Sequence, residues 1–390
     1  METLTGQELL ALVERVFRPG KEDRTLAILT DLPDAAVPDL PAWAERRAMA
    51  VAWAKELAKL EPQSGLRTVL VAYRNVRHNN ADLPSNAWVF SGAALDTLVL
   101  PADADSLPAG DARPMREVLQ DNRLLIAPTQ FSATAPLKLT GKELGCRGAT
   151  MPGFSSEMIP ALRLDYGEIN RRVAMLKEQL DRAEEATFSF EVDGAKRYEL
   201  TLDLRHRTGH ASGGLIPQPG TAGNLPSGEA YIVPYEGERE GDPSRSSGEL
   251  PVQLGGDLVV YRIEGNRAVS VAGEPSATLE REAAMLRREP GYANLAELGL
   301  GVLGEFGVQP TGEILLDEKL GLHIAFGRSD HFGGVVGADR FSSPEAVVHI
   351  DRVYTRNLQP RVSVREMKLG YADGTTREIL RDDAYVFSFA

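Results

Sequence analysis

Near residue 185 of this 390-residue chain the apolar residues change their period, and one layer cannot accommodate both patterns. Before that point, apolar strands alternate with helical segments. Thr5-Gly6-Gln7-Glu8 reads as a capping box that opens a helix carrying Leu9, Leu12, Val13 and Val16. Thr25–Thr30 and Thr68–Tyr73 read as short buried strands on either side of an Ala-rich helix, Pro41–Leu60, and further strands are expected at Leu95–Leu100 and Arg123–Ala127. Asp165–Glu185 reads as one helix crossing from the first domain to the second. After it, Ala186–Val192 and Arg197–Leu204 alternate around Asp193-Gly194, a strong hairpin signal. Strands then dominate, with turns at Gly213-Gly214, Gly255-Gly256 and Asp373-Gly374. The expectation is an α/β N-terminal domain over residues 1–185, a parallel sheet with flanking helices. An α+β, mainly antiparallel β C-terminal domain follows over 186–390.

Two domains also suit the length. A net charge of −13 argues against nucleic-acid partners and against anionic membrane surfaces. The opening Met-Glu-Thr-Leu-Thr-Gly-Gln is polar and no run of 18 apolar residues occurs, so a cytoplasmic, soluble protein is expected. The single cysteine, Cys146, excludes an intramolecular disulfide framework and a Cys-based zinc site. The first domain carries neither a Gly-x-Gly-x-x-Gly after a strand nor a P-loop, so it reads as scaffold.

Chemistry concentrates between Asp317 and Asp351. Of six histidines, three (His323, His331, His349) fall in that stretch. His323 lies in Leu-His-Ile-Ala-Phe and His349 in Val-Val-His-Ile-Asp, both of strand type. Side chains alternate across a strand, so His349 and Asp351 share a face. An imidazole and a carboxylate on one face, with a second strand-borne imidazole nearby, form a credible divalent-metal site, and the second domain is expected to carry it. Glu229 stands at a loop-to-strand junction. Glu297 sits in the small and apolar octet Asn294–Gly301, where a buried carboxylate must be paired, protonated or metal-bound. Glu236–Ser247 is polar and reads as a solvated, mobile loop. His78 reads as a loop residue, and His206 and His210 are weighed as residues of a cavity mouth.

Four motifs in order, Asn224-Leu225-Pro226-Ser227-Gly228-Glu229, Asn294-Leu295-Ala296-Glu297-Leu298-Gly299, Asp317-Glu318-Lys319 with His323–Gly327, and His349-Ile350-Asp351, resemble the thermophilic-type metallo-aminopeptidases (aminopeptidase T and aminopeptidase S). The resemblance implies metal ligands at Glu229, Glu297, His323, His349 and Asp351. It implies two divalent ions (Zn, Co or Mn) with Glu297 between them, a peptide or small amide substrate, and a homodimer with its sites facing an internal cavity. That family carries a tyrosine where this chain has Asp330, in Arg328-Ser329-Asp330-His331. An ionised aspartate cannot donate to an oxyanion as a phenol can. Glu297, Asp330 and His331 are therefore the candidate catalytic residues. The leading expectation is a metallo-aminopeptidase-like hydrolase acting through a metal-activated water. The alternatives are a ring-cleaving dioxygenase using His323, His349 and Asp351 around one Fe(II), and a specialised tailoring or non-catalytic relative.

Overall fold

A computed structural model describes residues 2–390. The chain divides into two compact units, one formed by residues up to Ile169 together with Gly214–Ser227, the other by Asn170–Gly213 and Gly228–Ala390. The division thus falls after Ile169 and not at residue 185, and the first unit takes back a segment from within the second half. That segment, in the Gly/Pro-rich stretch after Ser212, includes the strand Ala222–Asn224, which pairs in parallel with Arg147–Thr150. A change of periodicity marks where element type changes, whereas the domain boundary is set by which sheet a segment pairs with.

The first unit is a seven-stranded mixed sheet with helices. Its order is Ala222–Asn224, Arg147–Thr150, Leu124–Ala127, Thr25–Leu32, Arg67–Arg74, Asn86–Phe90 and Arg113–Pro114. The first five are parallel, and each of the last two pairs antiparallel with the strand before it. The capping box forms: the Thr5 hydroxyl accepts from the Glu8 N–H at 3.2 Å and the Glu8 carboxylate accepts from the Thr5 N–H at 2.8 Å. The Ala-rich helix spans Pro41–Ala58. Leu95–Leu100 is not a strand. Gly92 turns the chain with φ +57° and Ala93–Asp96 closes one helical turn, burying Leu95 while Val99 is 86% exposed. The pairing strand is Asn86–Phe90 instead. At the centre, the buried Asp31 carboxylate accepts from the backbone N–H groups of Gln130 (2.7 Å) and Phe131 (2.9 Å) and from the Trp43 indole at 3.0 Å.

The second unit holds two antiparallel sheets. The larger has eight strands, Ala183–Val192 and Lys196–Asp203 at its middle, and the helix Ala277–Arg288 packs on its Asp257–Gly273 side. Asp193 and Gly194 form the hairpin corner, both at positive φ, closed by Ala195 N–H to the Val192 carbonyl at 3.1 Å. The smaller sheet has five strands, here β1 (His210–Ser212), β2 (Glu229–Ile232), β3 (Leu295–Gly301), β4 (Leu322–Gly327) and β5 (His349–Val353). They lie side by side in chain order, each antiparallel to the next. Among the described residues no helix is long and apolar enough to cross a membrane.

Replacing Asp31 by Ala leaves two backbone donors and an indole without their acceptor. We expect a loss of about 2–4 kcal/mol in urea unfolding followed by tryptophan fluorescence. A change under 0.5 kcal/mol would show that the carboxylate does not hold this corner.

Candidate metal centre

The register of the five-stranded sheet decides which side chains meet. Glu229 on β2 faces Gly301 on β3, Glu297 on β3 faces Ala325 on β4, and Gly299 faces His323. On β5, Asp351 pairs with Ala325 and His349 with Gly327. Because the side-chain period is two, Glu229, Glu297, His323, His349 and Asp351 all rise from one face. Glycine and alanine occupy the positions between them. An ideal Cβ on Gly299 would stand 1.9 Å from Nε2 of His323, so the imidazole lies across the space that a side chain would fill. On Gly301 a Cβ would meet the Lys319 backbone at 2.3 Å.

Two three-ligand groups result, Glu229–Glu297–His323 and Glu297–His349–Asp351, and within each the donor atoms lie within 4.8 Å of one another. Glu297 belongs to both, its Oε1 3.2 Å from Nε2 of His323 and its Oε2 3.3 Å from Nε2 of His349. The outer ring nitrogens are used elsewhere. Nδ1 of His349 lies 2.9 Å from the Arg328 carbonyl and Nδ1 of His323 lies 3.3 Å from that of Gly321. A proton on each Nδ1 donated to those carbonyls leaves both Nε2 lone pairs for the centre. Two buried oxygens, Glu229 Oε2 and Asp351 Oδ1, have no hydrogen-bond partner. Buried oxygens left bare beside inward-facing imidazoles suit a divalent cation, so the residues present fit the group.

The charges fit the same reading. Burial works against a charge on His323, but the carboxylates of Glu297, Asp351 and Glu229 outweigh it and raise its pKa to about 9. His349 is likewise raised, against its burial, by Asp351 and Glu297. Burial opposes ionisation of Glu297, and the two imidazoles overcome this and lower its pKa to about 2. Lys319 was not singled out in the sequence as a site residue. Its buried ammonium donates to Glu229 Oε1 at 2.5 Å and also to Glu318. Burial, chiefly, lifts Glu318 to about 8.

Asp330 and His331 take different places. Asp330 is on the rim, its carboxylate bonded to the Arg328 guanidinium at 2.6 Å. His331 lies against Phe332, ring centroids 3.8 Å apart, with its edge toward His349 at 5.8 Å. Burial first, then His349, lowers its pKa to about 4, so it is neutral at pH 7. His210, opposite Tyr231 in register, shares the face of the centre. His206 instead pairs with Asp242 at 3.0 Å.

The Glu236–Ser247 segment is pinned, contrary to expectation, because its acids meet arginines. Arg205 bridges Asp203 and Asp242, and Arg207 meets Glu236 and Glu238. The Glu236 side chain, 3% exposed, accepts from Asn294, the Ser329 hydroxyl and the Val335 N–H, and so anchors the 328–336 loop. Tyr231 and Glu236 escaped the sequence reading. Two-residue periodicity from Glu229 puts Tyr231 on the same face, whereas the contacts of Glu236 are all long-range.

No family model and no curated protein sequence matches the chain. Solved structures do. The 2,5-dihydroxypyridine dioxygenase from Pseudomonas putida KT2440 is similar with a TM-score of 0.59 at 13% identity, over 98% of this chain and 98% of that one. Wild-type AmpT from Thermus thermophilus is similar with a TM-score of 0.54 at 17% identity, over 98% of this chain and 99% of that one. The likeness is one of fold.

Two measurements check the centre. Gly299→Ala forces His323 off its seat, at an overpacking cost of about 1–3 kcal/mol. Zinc affinity should fall at least tenfold, and unchanged affinity would place His323 outside the centre. A pKa of about 9 means that His323 holds a proton at pH 7 without metal and must lose it to ligate. The sign follows. The charged His323 stabilises the metal-free chain fully below pH 6.5, and that contribution disappears as pH rises through 9. Zinc binding at pH 7 should release about two protons per chain, one from each imidazole, in calorimetry across buffers of different ionisation enthalpy. No release would contradict the assignment.

Proposed function

We propose that this protein is a metal-dependent, aminopeptidase-like hydrolase that cleaves the amide bond after a free N-terminal residue. The observation that carries the reading is the sharing of Glu297 by two three-ligand groups, each with its own imidazole. Glu229, Glu297 and His323 would hold one divalent ion, and Glu297, His349 and Asp351 a second. Bound there, the ions would supply a water of lowered pKa and a polarised carbonyl. Similarity in fold to AmpT, an aminopeptidase T, supports the reading.

The chain's own groups divide the remaining work. Glu297 reaches toward both imidazoles from the middle of the face, and in this reading it orients the attacking water. Its low pKa keeps it ionised for that task. Lys319 holds one oxygen of Glu229 and leaves Oε2 directed to the centre. Asp330, locked to Arg328 and ionised, is no oxyanion donor. His331 beside His349 is neutral at pH 7, so in this reading it would take a proton from the attacking water and pass it to the leaving amine. A homodimer and a peptide or small amide substrate accompany this reading.

A second reading has one observation in its favour, the likeness in fold to 2,5-dihydroxypyridine dioxygenase. A single Fe(II) site would draw on His323, His349 and Asp351. The two imidazoles, however, fall in different three-ligand groups, on the two sides of Glu297. One ion among them would also leave Glu229 as a buried carboxylate with a bare oxygen.

Protein purified without added metal and analysed for elements should bind two zinc, cobalt or manganese ions per chain. It should release amino acids from aminoacyl amides, and Glu297→Gln should lower kcat by at least about a hundredfold. One iron per chain, with oxygen uptake on a hydroxylated ring and no amide cleavage, would replace the hydrolase with the dioxygenase.

A further inference from the structure

Beside the metal-binding face stands a row of rings that the ligands do not explain. Tyr231 rises from β2 on the same face as Glu229, one pleat along, and pairs in register with Gly299. Its ring stacks on His210 with centroids 5.0 Å apart and planes at 22°. On the other side Phe332 meets it edge-on at 5.1 Å and 71°. Phe332 in turn meets His349 at 5.4 Å and 69°, and His331 lies over Phe332. The row therefore runs His210, Tyr231, Phe332, His349 and ends on a candidate ligand.

Three features separate this row from ordinary core packing. Tyr231, Phe332 and His210 are only partly buried, so ring surface remains open. Tyr231 faces the centre, since strand alternation puts it on the same face as Glu229 and opposite Gly299. The row is also fixed. His210 Nε2 lies 2.9 Å from the Phe332 carbonyl, Arg207 donates to the Gly333 carbonyl at 3.3 Å, and Glu236 holds Ser329 and Val335 at the two ends of the turn. A turn of Gly333-Gly334 would not otherwise hold a phenyl ring in place. Preorganised rings cost no ordering on binding.

From this we infer that Tyr231 and Phe332 form the wall of a side-chain subsite that selects substrates whose N-terminal residue is aromatic. The inference rests on the hydrolase reading and names its substrate class. An aliphatic side chain would gain only contact area against these rings. A flat ring gains offset or edge-on ring pairing as well, worth about a tenfold factor. With the scissile amide at the ions, a side chain on the adjacent α-carbon lies at their border, where His349 hands over to Phe332.

The test measures binding of L-phenylalaninamide, L-leucinamide and L-alaninamide to the zinc-loaded full chain by calorimetry at a pH low enough to suppress turnover, and separately their hydrolysis. Phenylalaninamide should bind at least about tenfold more tightly than either aliphatic amide. Phe332→Leu and Tyr231→Leu should each erase most of that ratio while alaninamide binding stays within about twofold. Tyr231→Phe keeps the ring, guards against a folding defect, and should keep the ratio. Equal binding of leucinamide and phenylalaninamide, or a ratio that survives in both leucine variants, overturns the inference. A retained binding ratio with no hydrolysis of any amide supports the ring subsite and overturns the hydrolase reading alone.

Discussion

Three carboxylates, Glu229, Glu297 and Asp351, are buried on one face of a five-stranded sheet, and this charge governs the second unit. A buried ion left uncompensated costs several kcal/mol. The chain supplies three cations of its own to the same face, Lys319, His323 and His349, and each is placed to answer a particular acid. The answer is incomplete, because Lys319 bonds one oxygen of Glu229 while the other, like Oδ1 of Asp351, faces an imidazole at ion-pair distance without a hydrogen bond. Small residues at Gly299, Gly301, Ala325 and Gly327 follow from the same requirement. With two imidazoles and three carboxylates on one face, the positions between them must be nearly empty.

What surrounds the face keeps it in that condition. The loop after β4 carries five polar or ring side chains in Arg328–Phe332 and is rich in glycine, a composition with little local stiffness of its own. It is fixed from outside by Glu236, whose carboxylate reaches Asn294, Ser329 and Val335 at once. Asn294 then donates a further bond to the Gly327 carbonyl at 3.1 Å, at the end of β4. One buried acid therefore links the end of β4, the loop and the start of β3. His349 depends on the same region, since its Nδ1 partner is the Arg328 carbonyl. Ring positions and ligand orientation share one set of supports.

How much of this could be read from sequence differs from residue to residue. His349-Ile350-Asp351 announced a shared face because strand alternation is local, and Thr5 with Glu8 announced a helix start for the same reason. That Glu229 and Glu297 join the histidines was suggested by ordered motifs alone. The joining itself lies in the register of strands up to about a hundred residues apart in sequence, which no local pattern encodes. Lys319 was visible as a residue and invisible as a partner, because an ion pair with Glu229 requires Gly301 to admit the Lys319 backbone. Leu95–Leu100 misled for a converse reason. A short apolar run does not show whether it extends or coils, and Gly92 decided the matter. The 185 boundary misled because pairing, not composition, returns Ala222–Asn224 to the first sheet.

The two structural likenesses show why the site and not the fold must carry the functional argument. A backbone of one shape is similar to 2,5-dihydroxypyridine dioxygenase and to AmpT, at identities too low to transfer a reaction. What such a sheet provides is a set of positions on one face, spaced by the pleat and the strand separation. The donors at those positions set the number of cations the face can balance. Two imidazoles and one carboxylate carry a single negative charge and suit one divalent ion. Adding Glu229 and Glu297 brings two further carboxylates, of which Lys319 offsets one, so with both imidazoles neutral, as ligands must be, the face carries about one negative charge more than a single-ion set. Under the proposed hydrolase reading, a second ion would answer that excess. In this chain the electrostatics and the position of Glu297 between the imidazoles argue in the same direction.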